Sequence, residues 1–200
     1  MFAAPVAPAK AETAPNFLPL PSNRNLGRIT KVANAVLILT LLIYVAVALL
    51  VHESGHLLAA RACDVKASEL SLGLGPKLLG IRVCGVLFSV RALPLGSFVR
   101  LDGTALHERR LAQQLLVHLG GVCFNLAAGL ATFGSVFGWI NLLIAAGNLL
   151  PVYQHDGWKC GVVLMRALLK RKSQPVEWAF TFSGGFISLV IVWGALRLFL

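Results

Sequence analysis

Two hundred residues would ordinarily make one or two soluble domains. Here 57% of the residues are hydrophobic and only 13% are charged, and the mean hydropathy is +0.77. A water-facing domain carries roughly 25% charged residues, so a soluble globule, a disordered chain, a collagen-like repeat and a secreted disulfide scaffold are all excluded, which leaves an integral membrane protein. The formal charge of +10 would point to nucleic acid in a soluble chain, but no nucleic-acid motif or aromatic-interleaved basic stripe accompanies it. Lys and Arg of membrane proteins collect in cytoplasmic loops instead. Cys63, Cys84, Cys123 and Cys160 stand singly without a CxxC pair, giving neither a disulfide framework nor a cysteine zinc site.

Residues 1–31 are rich in Ala and Pro, lack periodicity and read as a flexible tail, leaving 32–200 as the core. The apolar run Val32 to Val51 is long enough to span a bilayer and has no small-residue cleavage site, so it reads as a span rather than a signal peptide. From Arg61 to Arg110 the chain is at its most polar. Alternation at Val86, Phe88 and Val90, punctuated by Gly73, Gly75, Gly80, Gly85, Gly96 and Gly103, predicts a β-hairpin or small sheet at the membrane face. A second apolar run covers Leu111 to about Phe133, and Gly134 to Gly138 reads as a turn. The third run, Trp139 to Leu150, is short for a span, so it should begin within that turn or continue past Pro151. A basic loop follows, and Trp178 to Leu200 forms the last run.

The expected fold is therefore an α-helical membrane protein of about four transmembrane helices, with a β-hairpin between the first and second. The two loops between spans hold thirteen Lys or Arg against five in the tails. The positive-inside rule then puts the loops in the cytoplasm and both termini outside.

The first run ends in His52-Glu53-Ser54-Gly55-His56, an HExxH pattern. Positions i and i+4 share a helix face, so the two imidazoles can converge on one zinc ion. Glu53, one residue round, is placed to act as general base toward water activated by the metal. Ionisable groups at the end of an apolar helix are costly if unpaired, so a purely structural helix has little reason to carry them. A catalytic zinc usually takes three protein ligands. Asp156, in Asn148-Leu149-Leu150-Pro151-Val152-Tyr153-Gln154-His155-Asp156-Gly157, is either the third ligand or a solvated carboxylate ahead of a turn glycine. His107 and His118 have no spacing to either motif and read as interfacial or packing residues.

Taken together, HExxH and the later NxxPxxxxDG resemble the site-2 protease family of intramembrane zinc metalloproteases. Leu72-Gly73-Leu74-Gly75-Pro76-Lys77 is similar to that family's glycine-rich stretch, Arg91 to Val99 to its R-x-x-P-L-G-G-Y-V strand, and Gly120 to Asn125 to its A-G-P-x-x-N. The resemblance implies His52, His56 and Asp156 as zinc ligands and Glu53 as the catalytic base. It also implies Asn125 and Asn148 as substrate-binding or bracing residues, although an interhelical hydrogen bond would equally explain either Asn. Val122, His155 and Trp158 depart from the family pattern; we read His155 as a hydrogen-bond donor behind Asp156 rather than as a ligand. Only about five residues separate the second and third runs, where many bacterial relatives carry a PDZ domain, so a compact form is expected.

By the same resemblance the function is zinc-dependent cleavage of peptide bonds in or near transmembrane segments of membrane-spanning substrate proteins, that is, regulated intramembrane proteolysis. The expected setting is the bacterial inner membrane, with no nucleic-acid partner. The oligomeric state is not legible. A zinc-holding scaffold fits less well because Glu53 is intact. An ion transporter fits less well because Val32–Val51 and Trp178–Leu200 offer few polar residues for a pathway.

Overall fold

The computed structural model describes residues 23–169 and 174–199. Most of the expected tail, and Lys170, Arg171 and Lys172 of the basic loop, lie outside these residues. In chain order the elements are α1 (Asn23–Ala62), β1 (Ala67–Val83), β2 (Val86–Leu101), α2 (Gly103–His107), α3 (Leu111–Ala131), α4 (Val136–Leu149), α5 (Asp156–Leu169) and α6 (Gln174–Phe199). The chain divides into two units, Met1–Leu39 and Thr40–Leu200. In the first, the backbone is already helical at Asn23, inside the stretch expected to be a tail. Its apolar side chains, among them Val32, Leu37 and Ile38, are exposed, as suits a helix in lipid.

The second unit contains everything that builds the site. Among the described residues, three helices are long and apolar enough to cross a membrane: Gly27–Ala62, Leu111–Ala131 and Gln174–Gly194. The third apolar run is the 14-residue α4. It does begin inside the predicted turn, at Val136, but it rises only about 21 Å against the roughly 30 Å of a hydrocarbon core. Four expected spans thus become three long helices and one short one. The stretch after Pro151 holds a correction: most of the presumed basic loop before Lys170 is the helix α5, which buries Asp156, Cys160 and Val163 on one face at i, i+4 and i+7.

The sheet lies where the alternation placed it, but it is more than a hairpin. Cys84 and Gly85, both at positive φ (48° and 81°), form the two-residue turn between Val83 and Val86. Residues 69–72 of β1 face both 87–90 and 97–100, so both arms of β2 flank one segment of β1. Leu70 and Val86 pack on Leu57, with Leu50, Phe88 and Val99 around them. A second cluster joins Ala60, Cys63, Val65, Leu106 and Val117. Together these two clusters clamp the sheet and α3 onto the C-terminal turns of α1. Inside the sheet, Glu69 is buried and accepts hydrogen bonds from Ser89 (2.7 Å) and Arg91 (2.8 Å). These two partners hold its carboxyl below the usual glutamate range.

Close helix approach depends on glycine. A Cβ on Gly120 of α3 would sit 2.6 Å from the Gly55 carbonyl oxygen and 2.9 Å from the Ala59 Cβ of α1. That Gly55–Gly120 contact brings the HExxH turn of α1 against α3.

Candidate metal centre

His52 and His56 are both buried on α1, one turn apart, and Asp156 is 2% exposed at the start of α5. The three side chains converge. His52 Nε2 and His56 Nε2 are 3.1 Å apart, and Asp156 Oδ2 lies 3.1 Å from the first and 3.0 Å from the second. Among the described residues these three are the group of His, Cys, Asp and Glu placed to hold one metal ion.

Hydrogen bonds on the far sides of the rings fix what those atoms can do. His56 Nδ1–H donates to the Val117 carbonyl of α3 at 2.8 Å. His52 Nδ1–H donates to Asn125 Oδ1, also at 2.8 Å. Asn125 presents its oxygen because its Nδ2 is committed to the Ala48 carbonyl (3.1 Å) and to Asn141 Oδ1 (2.9 Å). Asn141 is in turn oriented by donating to the Phe137 carbonyl (2.9 Å). With both Nδ1 atoms donating outward, each ring in its neutral form turns a bare Nε2 lone pair inward. Asp156 Oδ2 is buried without a hydrogen-bond donor. Three acceptors within about 3 Å of one another repel unless a cation lies among them. Zinc bonds of about 2.0–2.2 Å at tetrahedral angles separate donor atoms by about 3.3–3.6 Å, within a few tenths of an ångström of the spacing observed. The donor set, two imidazoles and a carboxylate, is also one that zinc takes. The residues therefore fit the metal.

The surrounding residues support this arrangement. Lys159 Nζ donates to the other Asp156 oxygen, Oδ1, at 3.0 Å, which orients the carboxylate. Gly121 backs the histidine pair: a Cβ there would lie 2.5 Å from His56 Nε2 and 2.7 Å from His52 Cε1. Cys160, one turn beyond Asp156, takes no part. Burial first, and then the Asp156 charge, pushes its thiol up to about 11, so it stays protonated.

A cavity of about 310 Å³ opens over the cluster, and Glu53, Ser97, Phe98, His118, Asn148 and Lys159 are among its walls. Glu53 therefore shares the cavity with the three donors. Asn148 also lines it, while its Nδ2 bonds the Ile144 carbonyl of its own helix at 3.0 Å. Asn125 does not line it: fully buried, it sits behind His52. His155 is neither ligand nor donor to Asp156. Its ring bonds the Tyr153 carbonyl at 3.3 Å, and Lys159 occupies the supporting place expected of it. His118, expected to pack or lie at an interface, is in the cavity wall. Sequence spacing missed it because α3, not α1 or α5, delivers it.

Comparison with known proteins agrees with this geometry. Residues 40–137 match the sequence model of Peptidase family M50. That match takes in His52, Glu53 and His56 and ends before Asp156. A protein of Clostridium acetobutylicum named a putative zinc metalloprotease is 36% identical over 95 residues, covering 44% of this chain and 28% of that protein. Equally named proteins of Clostridium perfringens and Helicobacter pylori are 32% identical over 93 residues and 35% identical over 104. They cover 42% and 46% of this chain, and 28% of their own length in each case. The chain thus spans less than a third of the length of the curated relatives it matches.

Proposed function

From a chain that belongs to peptidase family M50, the site-2 protease family, we infer a zinc endopeptidase that cuts peptide bonds within or near the transmembrane segments of membrane-spanning substrate proteins. The observation that carries this reading is the convergence of His52, His56 and Asp156 beside Glu53, in one cavity built on membrane helices. Zinc, when bound, supplies the Lewis acidity that polarises a scissile carbonyl and makes water nucleophilic near neutral pH.

The chain's own residues do the rest. His52, His56 and Asp156 would hold the ion, with Asn125, Val117 and Lys159 fixing their orientation. Glu53 takes the proton from the attacking water and delivers it to the nitrogen of the departing amine as the C–N bond breaks. A helical substrate shields its peptide carbonyls in its own hydrogen bonds, so a segment must unwind before attack. Within lipid, the freed N–H and C=O groups need partners. An extended segment lying beside β2, with Asn148 offering a side-chain oxygen at the cavity wall, would meet that need.

The setting we propose is the bacterial inner membrane, with the basic segments between the apolar helices cytoplasmic and the bilayer in contact with the apolar faces of α1 and α6. The role is release or clearance of membrane-tethered segments by regulated intramembrane proteolysis.

The test is turnover of an internally quenched apolar peptide by protein in detergent, beside Glu53→Gln. Removal of the base should reduce the rate by roughly 100-fold or more while zinc stays bound. Equal rates for the two proteins would end the reading.

A further inference from the structure

We propose that Ser97 is a positioning residue for Glu53, holding one carboxylate oxygen so that the other is presented to the reacting water. This rests on the endopeptidase reading above. Ser97 Oγ–H donates to Glu53 Oε1 at 2.7 Å, across 44 residues of sequence. Among the described residues it is the only side chain that hydrogen-bonds Glu53. Both residues line the cavity over the metal cluster.

The backbone makes the contact deliberate rather than incidental. Gly96, at φ +77°, turns the chain immediately before Ser97, and Ser97 then enters the arm of β2 that pairs with β1, opposite Leu72. Neighbouring pairs Leu70↔Val99 and Ser71↔Phe98 fix that register, and Leu70 and Val99 belong to the cluster anchored on Leu57 of α1. The hydroxyl is therefore carried by a strand packed on the same helix that carries Glu53.

A glutamate has three rotatable side-chain bonds. Unheld beside a cavity, it would spread over several rotamers, few of which suit proton transfer. One charge-assisted hydrogen bond of this length selects among them. Because Ser97 takes Oε1, the proton in transit falls to Oε2, which fixes the direction from which water must approach. The role is orientation; Ser97 exchanges no proton with the substrate.

The experiment compares wild type, Ser97→Gly, Ser97→Thr and Glu53→Gln on the internally quenched apolar peptide in detergent, with kcat, KM, zinc content and melting temperature measured for each. Expected are a kcat for Ser97→Gly lower by roughly 10-fold or more, KM within about twofold, and zinc near that of wild type. Ser97→Thr, which keeps the hydroxyl, should recover kcat to within about threefold of wild type.

Unchanged kcat in Ser97→Gly overturns the proposal. So does a Ser97→Thr as slow as Ser97→Gly, because the donor would then not be what matters. Loss of zinc or of folding in Ser97→Gly also overturns it, by making the residue structural. Wild-type turnover no faster than Glu53→Gln has a separate meaning: it removes the endopeptidase reading itself, and the positioning role with it.

Discussion

Replacing Asn125 by Leu tests the machinery behind the metal ligands. Asn125 is fully buried and makes three hydrogen bonds: from His52 Nδ1 at 2.8 Å, to the Ala48 carbonyl at 3.1 Å and to Asn141 Oδ1 at 2.9 Å. Leu keeps the branched shape of Asn but is larger, so folding is checked alongside, and all three bonds are lost. An orphaned buried group costs about 1–3 kcal/mol, and the imidazole N–H of His52 is the one that bears on the metal. Without its acceptor the ring loses its tautomer preference and its orientation, a loss that typically weakens metal affinity by about 10- to 100-fold. The assay is a chelator-competition titration of zinc in detergent, with helix content followed by circular dichroism to show that the protein is still folded. A zinc dissociation constant unchanged in a folded Asn125→Leu protein would refute the reasoning. An unchanged zinc affinity together with a raised KM would return Asn125 to the substrate-binding role that the family resemblance allows.

Two other predictions follow from the same packing. Gly121→Ala would push a methyl group to 2.5 Å from His56 Nε2, so zinc per chain should fall well below that of wild type by elemental analysis. Gly27→Ala, where nothing lies within 4 Å of the added Cβ, should leave it unchanged. Glu69 gives a pH dependence with a definite sign. Its carboxyl titrates below its ordinary value of 4.5, held there by Ser89 and then Arg91. Its contribution to sheet stability is therefore present above about pH 4.5 and lost as the pH falls through the lowered value. Thermal melts should show the wild type losing stability in that acid range by more than Glu69→Gln does.

The metal site was legible where its geometry is local. His52, Glu53 and His56 lie within one helical turn, and the period of an α-helix alone puts the two imidazoles on one face. Asp156 is 100 residues further on; only the pattern around it, not any local spacing, connected it to that face. Asn125 stayed ambiguous in sequence because its role is set by His52, 73 residues earlier. Ser97 and His118 are not legible as members of the site for the same reason. Each reaches the cavity from an element whose placement depends on tertiary packing, and Ser97 stands where the strand it resembles has glycine.

Where the fold departs from the sequence expectation, the reasons are equally physical. In sequence α5 reads as a loop because the basic residues Lys159 and Arg166 flank the apolar spacing of Cys160 and Val163. Arg166 is not a free loop charge: it makes a bidentate pair with Glu177 of α6 at 2.8 Å, which raises its pKa further. The start of α1 is hidden in sequence by the Pro-rich composition before it, although the backbone is helical from Asn23. The sheet was expected as a hairpin, since alternation in sequence shows which residues can form strands and not that residues 69–72 face two arms of β2.

The most direct test of the account is zinc per chain in detergent-purified protein, wild type beside Asp156→Ala. The triangle of His52 Nε2, His56 Nε2 and Asp156 Oδ2 predicts close to one zinc in the wild type and a clear loss in the variant. Wild-type protein that holds no zinc after chelator-free purification, or an Asp156→Ala protein that keeps a full complement, would contradict it.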